Sequence, residues 1–324
     1  MSHLTRKFCL GLAALALGAI GTADAADPYP TKPIRMVVGF GAGGPTDIPA
    51  RFIADKLGTL LGQNVVVENR PGAGGLLATR YALGQPRDGY QLLLCTHFES
   101  MNTVLYKNPA YQLADIAPIS LVSKYYYGLA LSNAVPAETF AQFLQYAKSH
   151  PGQVSYATVG TGSPAEILAR QLEKSAGITM TKVPFRSSPQ IFQEMVAGRV
   201  HFFVSPTLAV MPLYRSRQVK ILAVSSAERL KDVPEVPTLT EQGASFKPFG
   251  WLGICAGSGT PQPILDLLSR YVVSIVATPE YRTLIEKGGS IPTSSTPAEM
   301  KQVLAQTVDD IASTVREFGM QQEE

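Results

Sequence analysis

Net charge, cysteine and histidine are all scarce in this 324-residue chain. Basic and acidic side chains number 28 and 25, a formal excess of only +3. So small an imbalance argues against nucleic acid as a partner and leaves no polybasic surface for a membrane. Three cysteines and four histidines are spread along the chain, with no pair at zinc-ligand spacing, which excludes a zinc module. Only Cys95 and Cys255 lie beyond the N-terminal segment, too few for a disulfide scaffold. Both sit in apolar, strand-like runs and read as two buried thiols, a single disulfide being the alternative. There is no G-x-S-x-G nucleophile elbow, and no catalytic residue is expected. Beyond residue 25 no apolar run approaches the ~20 residues that a membrane helix needs.

What is present begins at the N-terminus. Arg6 and Lys7 precede an uncharged apolar run over 8–21, and Ala23-Asp24-Ala25 offers small residues for cleavage before Ala26. Residues 1–25 read as a secretory signal peptide, too short in its apolar part to span a bilayer. Cys9 lies too early to be a lipid-attachment cysteine. Loss of Arg6, Lys7 and Asp24 brings the balance near +2. The remaining 300 or so residues exceed what one core usually carries, which predicts two domains.

Short β-rich runs then alternate with amphipathic stretches. Strands are predicted over 34–40, from 65, and over 90–96, 127–133, 154–160, 181–185, 201–206, 219–226 and 249–257. Helices are predicted over 48–62, 76–84, 139–152, 165–177 and 191–198, with two more near the C-terminus. In the first helix the apolar spacing picks out Ile48, Phe52, Leu57, Leu60 and Leu61. A Pro-rich connector fills 233–243. This order predicts an α/β protein in which one three-layer arrangement, a mostly parallel sheet flanked by helices, is built twice.

Two loops share a design: a buried strand, then glycines and hydroxyls, then a helix start. They are GFGAGGPTD (39–47) and GTGSPAE (160–166). Helix N-termini present unpaired N–H groups and partial positive charge, and glycines let an anion approach them. Either loop could seat a carboxylate, a sulfate or a phosphate. Gly39, Gly41 and Gly44 also form a literal G-x-G-x-x-G, with Glu68 near the place of a ribose-binding acid. A Rossmann-type oxidoreductase is the resulting alternative, with an exported α/β carboxylate enzyme beside it. Pro45 and Thr46 disturb the helix contact that the third glycine would serve, and Glu68 runs into another loop, NRPGAGG.

Taken together, YPTKPIRMVVGFGAGGPTD, VVVENRPGAGG, DGYQLLLCT, VSYATVGTGSPAE, VPFRSSPQIFQEMVAGRV and PTLTEQG resemble the Bug-type solute receptors of tripartite tricarboxylate transporters. The match in order and spacing runs from residue 29 to the C-terminal helices. It implies a two-lobed periplasmic-binding-protein-like fold with crossover strands as hinge. The implied division is 26–127 plus 248–324 as lobe 1 and 128–247 as lobe 2. The expected protein is a periplasmic monomer without cofactor or metal, which hands a small organic carboxylate to membrane subunits of the transporter. Phe40, Gly43, Gly44 and Asp47 match the family's first-loop pattern, and Ala42 stands where it has proline. Gly160, Gly162 and Ser163 match the second, and Glu166 stands where it has histidine. Phe185-Arg186-Ser187 replaces Tyr-Lys-Gly, and Ser205 replaces an acid.

The expected ligand contacts are therefore Phe40, Gly41, Ala42, Gly43, Gly44, Pro45, Thr46, Asp47, His97, Gly160, Thr161, Gly162, Ser163, Phe185, Arg186 and Ser205. Thr46 is expected to cap its helix, and Asp47 is as readily structural in the first turn. Arg186 could grip a second carboxylate in bidentate fashion. The expected ligand is a dicarboxylate, with an aromatic one such as terephthalate suited to Phe40, Phe98 and Phe185.

Overall fold

The structure is a computed structural model that describes residues 29–244, 249–319 and 322. The signal peptide and the expected lobe boundary at 247/248 lie outside the described residues. The chain opens with β1 (Ile34–Val38), α1 (Asp47–Leu61), β2 (Val65–Asn69), α2 (Leu76–Leu83), β3 (Gln91–Thr96) and α3 (His97–Leu105). A 17-residue strand, β4 (Ile116–Ser132), follows. Next come α4 (Phe140–Ser149), β5 (Ser155–Thr158), α5 (Pro164–Ala176), β6 (Thr181–Pro184), α6 (Ser188–Val196), β7 (Phe202–Pro206), α7 (Thr207–Arg215) and β8 (Val219–Val224). The chain closes with β9 (Phe249–Gly257), α8 (Gln262–Val276), α9 (Pro279–Glu286), β10 (Ser290–Pro292) and α10 (Pro297–Phe318).

Two parallel cores, β2-β1-β3 and β7-β5-β6, are joined through β9 and β4 in one sheet of order β2-β1-β3-β9-β4-β7-β5-β6. β4 pairs antiparallel with β9 from Ile116 to Tyr126, then with β7 from Tyr127 to Leu131. One strand thus belongs to both lobes, and the two glycine loops leave the C-terminal ends of β1 and β5 on either side of it. Such ends are where open α/β sheets hold ligands.

Local chemistry explains the helices that bear these loops. α1 buries Ala50, Ile53, Ala54 and Leu57 and stops at left-handed Gly62. Its buried stripe is rotated from the predicted one: Ile48 and Leu60 are exposed, because the small Ala50 and Ala54 let the helix sit close on the sheet. α5 buries Ile167, Leu168 and Leu172 and ends at left-handed Gly177.

Several elements escaped the sequence reading. α3 starts with a capping box, Thr96 and Glu99 each satisfying the other's backbone N–H side. The first half of β4 carries Pro118 and two register shifts, which break the alternation that marks a strand. α7 contains Pro212. The two-thiol reading is corrected as well: Cys95 and Cys255 form a disulfide across β3 and β9. Register sets Cys95 opposite Gly253 and Cys255 opposite Leu93, so the cysteines are diagonal neighbours on one sheet face, which a sequence separation of 160 concealed.

Candidate functional site

The two glycine loops are held by the same clamp. In the first, Gly43 turns with φ +73° and its N–H donates to Asp47 Oδ2 at 2.8 Å. Arg51 Nε donates to the same oxygen at 2.7 Å, and Asn69 Nδ2 donates to Oδ1 at 2.8 Å. Burial raises the Asp47 pKa, but the bonds from Arg51, Gly43 and Asn69 outweigh it and hold the carboxyl below its usual range. In the second loop, Gly162 turns with φ +66° and its N–H donates to Glu166 Oε2 at 3.1 Å. Arg170 Nη2 and Lys182 Nζ reach Glu166 Oε1 at 3.1 and 3.0 Å.

The pattern is legible in the chain as Gly43-Gly-Pro-Thr-Asp-Ile-Pro-Ala-Arg51 against Gly162-Ser-Pro-Ala-Glu-Ile-Leu-Ala-Arg170. Acid and arginine fall four and eight residues after the glycine, one and two helical turns on. Glu166 is therefore a loop fastener, spent on its own loop's backbone and two cations. The helices also begin at equivalent points: the Gly44 carbonyl accepts from Ile48 N, and that of Ser163 from Ile167 N.

Between the loops lies a cavity of ≈ 40 Å³, room for a few waters. Phe40, Gly41, Gly44, Pro45 and Thr46 line it from the first lobe, and Val159, Ser163 and Pro164 from the second loop. The Thr46 hydroxyl and the Ser163 hydroxyl are buried there with no hydrogen-bond partner. Neither caps its own helix, contrary to the expectation for Thr46, whose backbone is already helical. Ser188, the first residue of α6, brings a third helix start to the wall. Sequence reasoning missed Ser188. It also missed Thr96, Tyr125, Tyr127, Phe203, Val204 and Pro206, which complete the lining with Phe98. No lining side chain is charged. The lobes touch on both sides of this space, where Gly41 meets Ser187 and Gly160 meets Gly74.

Other expected contacts stand elsewhere. Gly160, Thr161, Phe185 and Arg186 line a separate groove of ≈ 650 Å³ shared with Gly72, Ala73 and Lys182, and Val159 lines both spaces. Arg186 is exposed there. Ala42 and Gly43 face outward, Gly162 packs on Leu105, and the buried Ser205 hydroxyl donates to the Pro206 carbonyl at 3.1 Å.

His97 sits behind the cavity. Its Nδ1 is 3.3 Å from the Tyr125 hydroxyl and its Nε2 is 3.1 Å from that of Tyr127. Burial pushes its pKa down to about 3, against a backbone hydrogen bond with Trp251. The unfolded chain therefore takes up a proton near pH 6.5 that the folded chain refuses until about pH 3. Stability tied to His97 is complete above pH 6.5 and drains away as pH falls through that window. Compared by urea unfolding, wild type should lose about 1.4 kcal/mol per pH unit relative to His97→Gln between pH 6 and 4. A pH-independent difference would show that His97 titrates normally.

Residues 49–320 match the model of the tripartite tricarboxylate transporter family receptor. The chain belongs to this family of periplasmic solute-binding receptors. It is 30% identical to protein BugT of Bordetella pertussis over 98% of both chains. Among solved structures, the periplasmic binding protein BugD superposes with a TM-score of 0.87 at 29% identity, covering 91% of this chain and all of that one. R. palustris Rpa4515 with adipate gives 0.86 at 26% identity, over 91% and 99% of the two chains. MatC from Rhodopseudomonas palustris with bound malate gives 0.84 at 27%, over 89% and 100%. The two-lobed α/β periplasmic-binding-protein-like fold is shared with all three.

Proposed function

We propose that this receptor captures a small organic carboxylate between the starts of α1 and α5 and delivers it to the membrane subunits of a tripartite tricarboxylate transporter. One observation carries the reading: the Thr46 and Ser163 hydroxyls, from opposite lobes, are buried and unpartnered, and both residues line one cavity. Two helix N-termini beside them supply partial positive charge without a cation. A ligand held by both loops favours the closed arrangement over the open one, and its differential contacts set the size of that shift. The adipate and malate on the similar proteins agree with an acid as ligand. The division into 26–127 plus 248–324 and 128–247 belongs to the same reading, since β4 changes partners at Tyr126/Tyr127.

A thermal-shift panel of mono-, di- and tricarboxylates tests it. The right acid at a hundred times its Kd should stabilise the protein by about 2.7 kcal/mol. A panel in which no acid raises Tm would overturn the reading.

We assign the best fit to a dicarboxylate with an apolar body, terephthalate among them, whose second carboxylate passes Val159 to reach Arg186 in the neighbouring groove. A guanidinium grips both oxygens of a carboxylate at once. Arg186→Ala should then weaken terephthalate roughly tenfold or more and leave benzoate within about twofold, by calorimetric titration. Equal losses, erased by salt, would reduce Arg186 to a diffuse potential.

A further inference from the structure

The cavity between the glycine loops, ≈ 40 Å³, holds a head group and little more. The body of an acid seated there must continue into a neighbouring space. One such space is the groove that carries Arg186. Another, of ≈ 550 Å³, shares Gly44 and Ser188 with the cavity. That volume falls within the usual range of small-molecule sites. Gly44 has no side chain to close the junction: a methyl placed there would find one second-lobe atom within 4 Å, Pro189 Cδ at 3.8 Å.

α6 gives this groove its length. Ser188, Phe192 and Val196 recur every four residues, on one face of the helix, and all three line the groove. Ser188 also belongs to the cavity wall, and Val196 lies two turns, or about 12 Å, further along the helix. Ile48 of α1 contributes from the first lobe, and Leu208 and Leu213 of α7 add to the lining. Phe192 meets Phe203 edge-on with 5.9 Å between ring centroids. Phe203 lines the cavity, so apolar surface runs on from one space to the other.

No charged side chain among the described residues lines the α6 groove. A charged group drawn into it would give up water and find no partner. Ile48 and Val196 nevertheless stand 36% and 50% exposed. Large apolar side chains left in the open around a groove mark a surface that is covered in use. The groove beyond Val159 differs, since Lys182 and Arg186 both line it. The two spaces thus suit different ends of a ligand, one anionic and the other hydrocarbon.

We infer that the α6 groove takes the hydrocarbon tail of an acid whose carboxylate sits between the glycine loops, and that medium-chain monocarboxylates form a second ligand class of this receptor beside the dicarboxylates. The inference rests on the carboxylate reading above and adds a class of ligand to it. The tail follows α6 outward from Ser188 past Phe192 and covers the apolar surface that Ile48 and Val196 leave open.

Calorimetric titration of the full mature protein with butanoate, hexanoate, octanoate and decanoate tests it. Affinity should rise about two- to fourfold per added methylene, the lower figure for half-covered and the upper for fully buried carbon. The rise should level off once the chain has passed Val196. The heat-capacity change of binding should grow more negative in step. Val196→Asp places a charge in the outer groove and should flatten the rise beyond hexanoate, while butanoate, whose tail ends short of it, reports on the seat. Ile48→Ser should make the rise shallower in the same way, and decides the matter if the first variant fails to fold. An affinity independent of chain length, or a rise that neither variant alters, would overturn this inference, and a dicarboxylate that still binds would leave the carboxylate seat standing. Failure of every acid to bind, dicarboxylates included, would overturn both.

Discussion

Gly41→Ala should weaken ligand binding by roughly ten- to a hundredfold while each lobe folds as before. The added methyl would stand 2.5 Å from the Ser187 Cβ, and its three nearest heavy atoms beyond its chain neighbours all belong to that residue across the cleft. The φ of Gly41 is negative, so alanine carries no backbone penalty there. Overpacking of this kind typically costs 1–3 kcal/mol, and the cost falls on the closed arrangement alone. Gly160→Ala should be more severe. Its methyl would meet Gly74 Cα and N, both at 2.8 Å, and backbone cannot swing aside as a serine can. The φ of +154° adds a local term. Titration of both variants against the best acid of the panel, with urea unfolding beside it, separates closure from folding. Wild-type affinity in a folded Gly41→Ala would mean that ligand is held without contact between the loops.

The second large effect is expected from the hydroxyls. Ser163→Ala and Thr46→Val each remove a donor to a charged group, worth about 1.5–3 kcal/mol, or ten- to a hundredfold in Kd. Because the two hydroxyls share one ligand in one small cavity, the loss in the double variant should depart from the product of the single losses. Neither hydroxyl bonds another protein group, so the unligated protein should be no less stable for losing them. A Kd unmoved by Ser163→Ala would leave the backbone N–H groups as the whole seat.

Where the sequence spoke clearly, it did so through repeated local chemistry. The runs ending in Gly39 and Gly160 read as strand, loop and helix because glycine, proline and an acid punctuate them in that order, and the α/β class with two parallel cores follows. The nine-residue correspondence between 43–51 and 162–170 was equally open to view, yet its meaning needed coordinates: only there do Asp47 and Glu166 turn back on glycine N–H groups rather than outward. Gly44, Thr46 and Ser163 could be named from loop chemistry. Tyr125, Tyr127 and Phe203 could not, because they reach the cavity by long-range pairing of β4 with β9 and β7, and their aromatic runs look like any buried strand. Position along a loop likewise fails to tell which side of the Gly74–Gly160 contact a side chain will take. That is why Arg186 and Phe185 were grouped with Ser163 but stand in the next groove. The disulfide was hidden for the same reason, its halves being brought together by register alone.

β4 has a consequence for how this receptor can be taken apart. Most bilobed proteins invite dissection at a linker, but here the seam runs through the middle of a continuous ladder. Severing the chain at Tyr126/Tyr127 would leave β9 on the C-terminal fragment, parted from β3 and from the first half of β4 between which it lies, while β7 keeps its pairing with residues 127–131. Each fragment would then carry an orphan edge of unpaired N–H and C=O groups, the kind of surface that recruits a foreign strand. The receptor is indivisible in this respect: neither half is a transplantable module, and a chimaera that exchanges lobes with a relative must inherit β4 and β9 together.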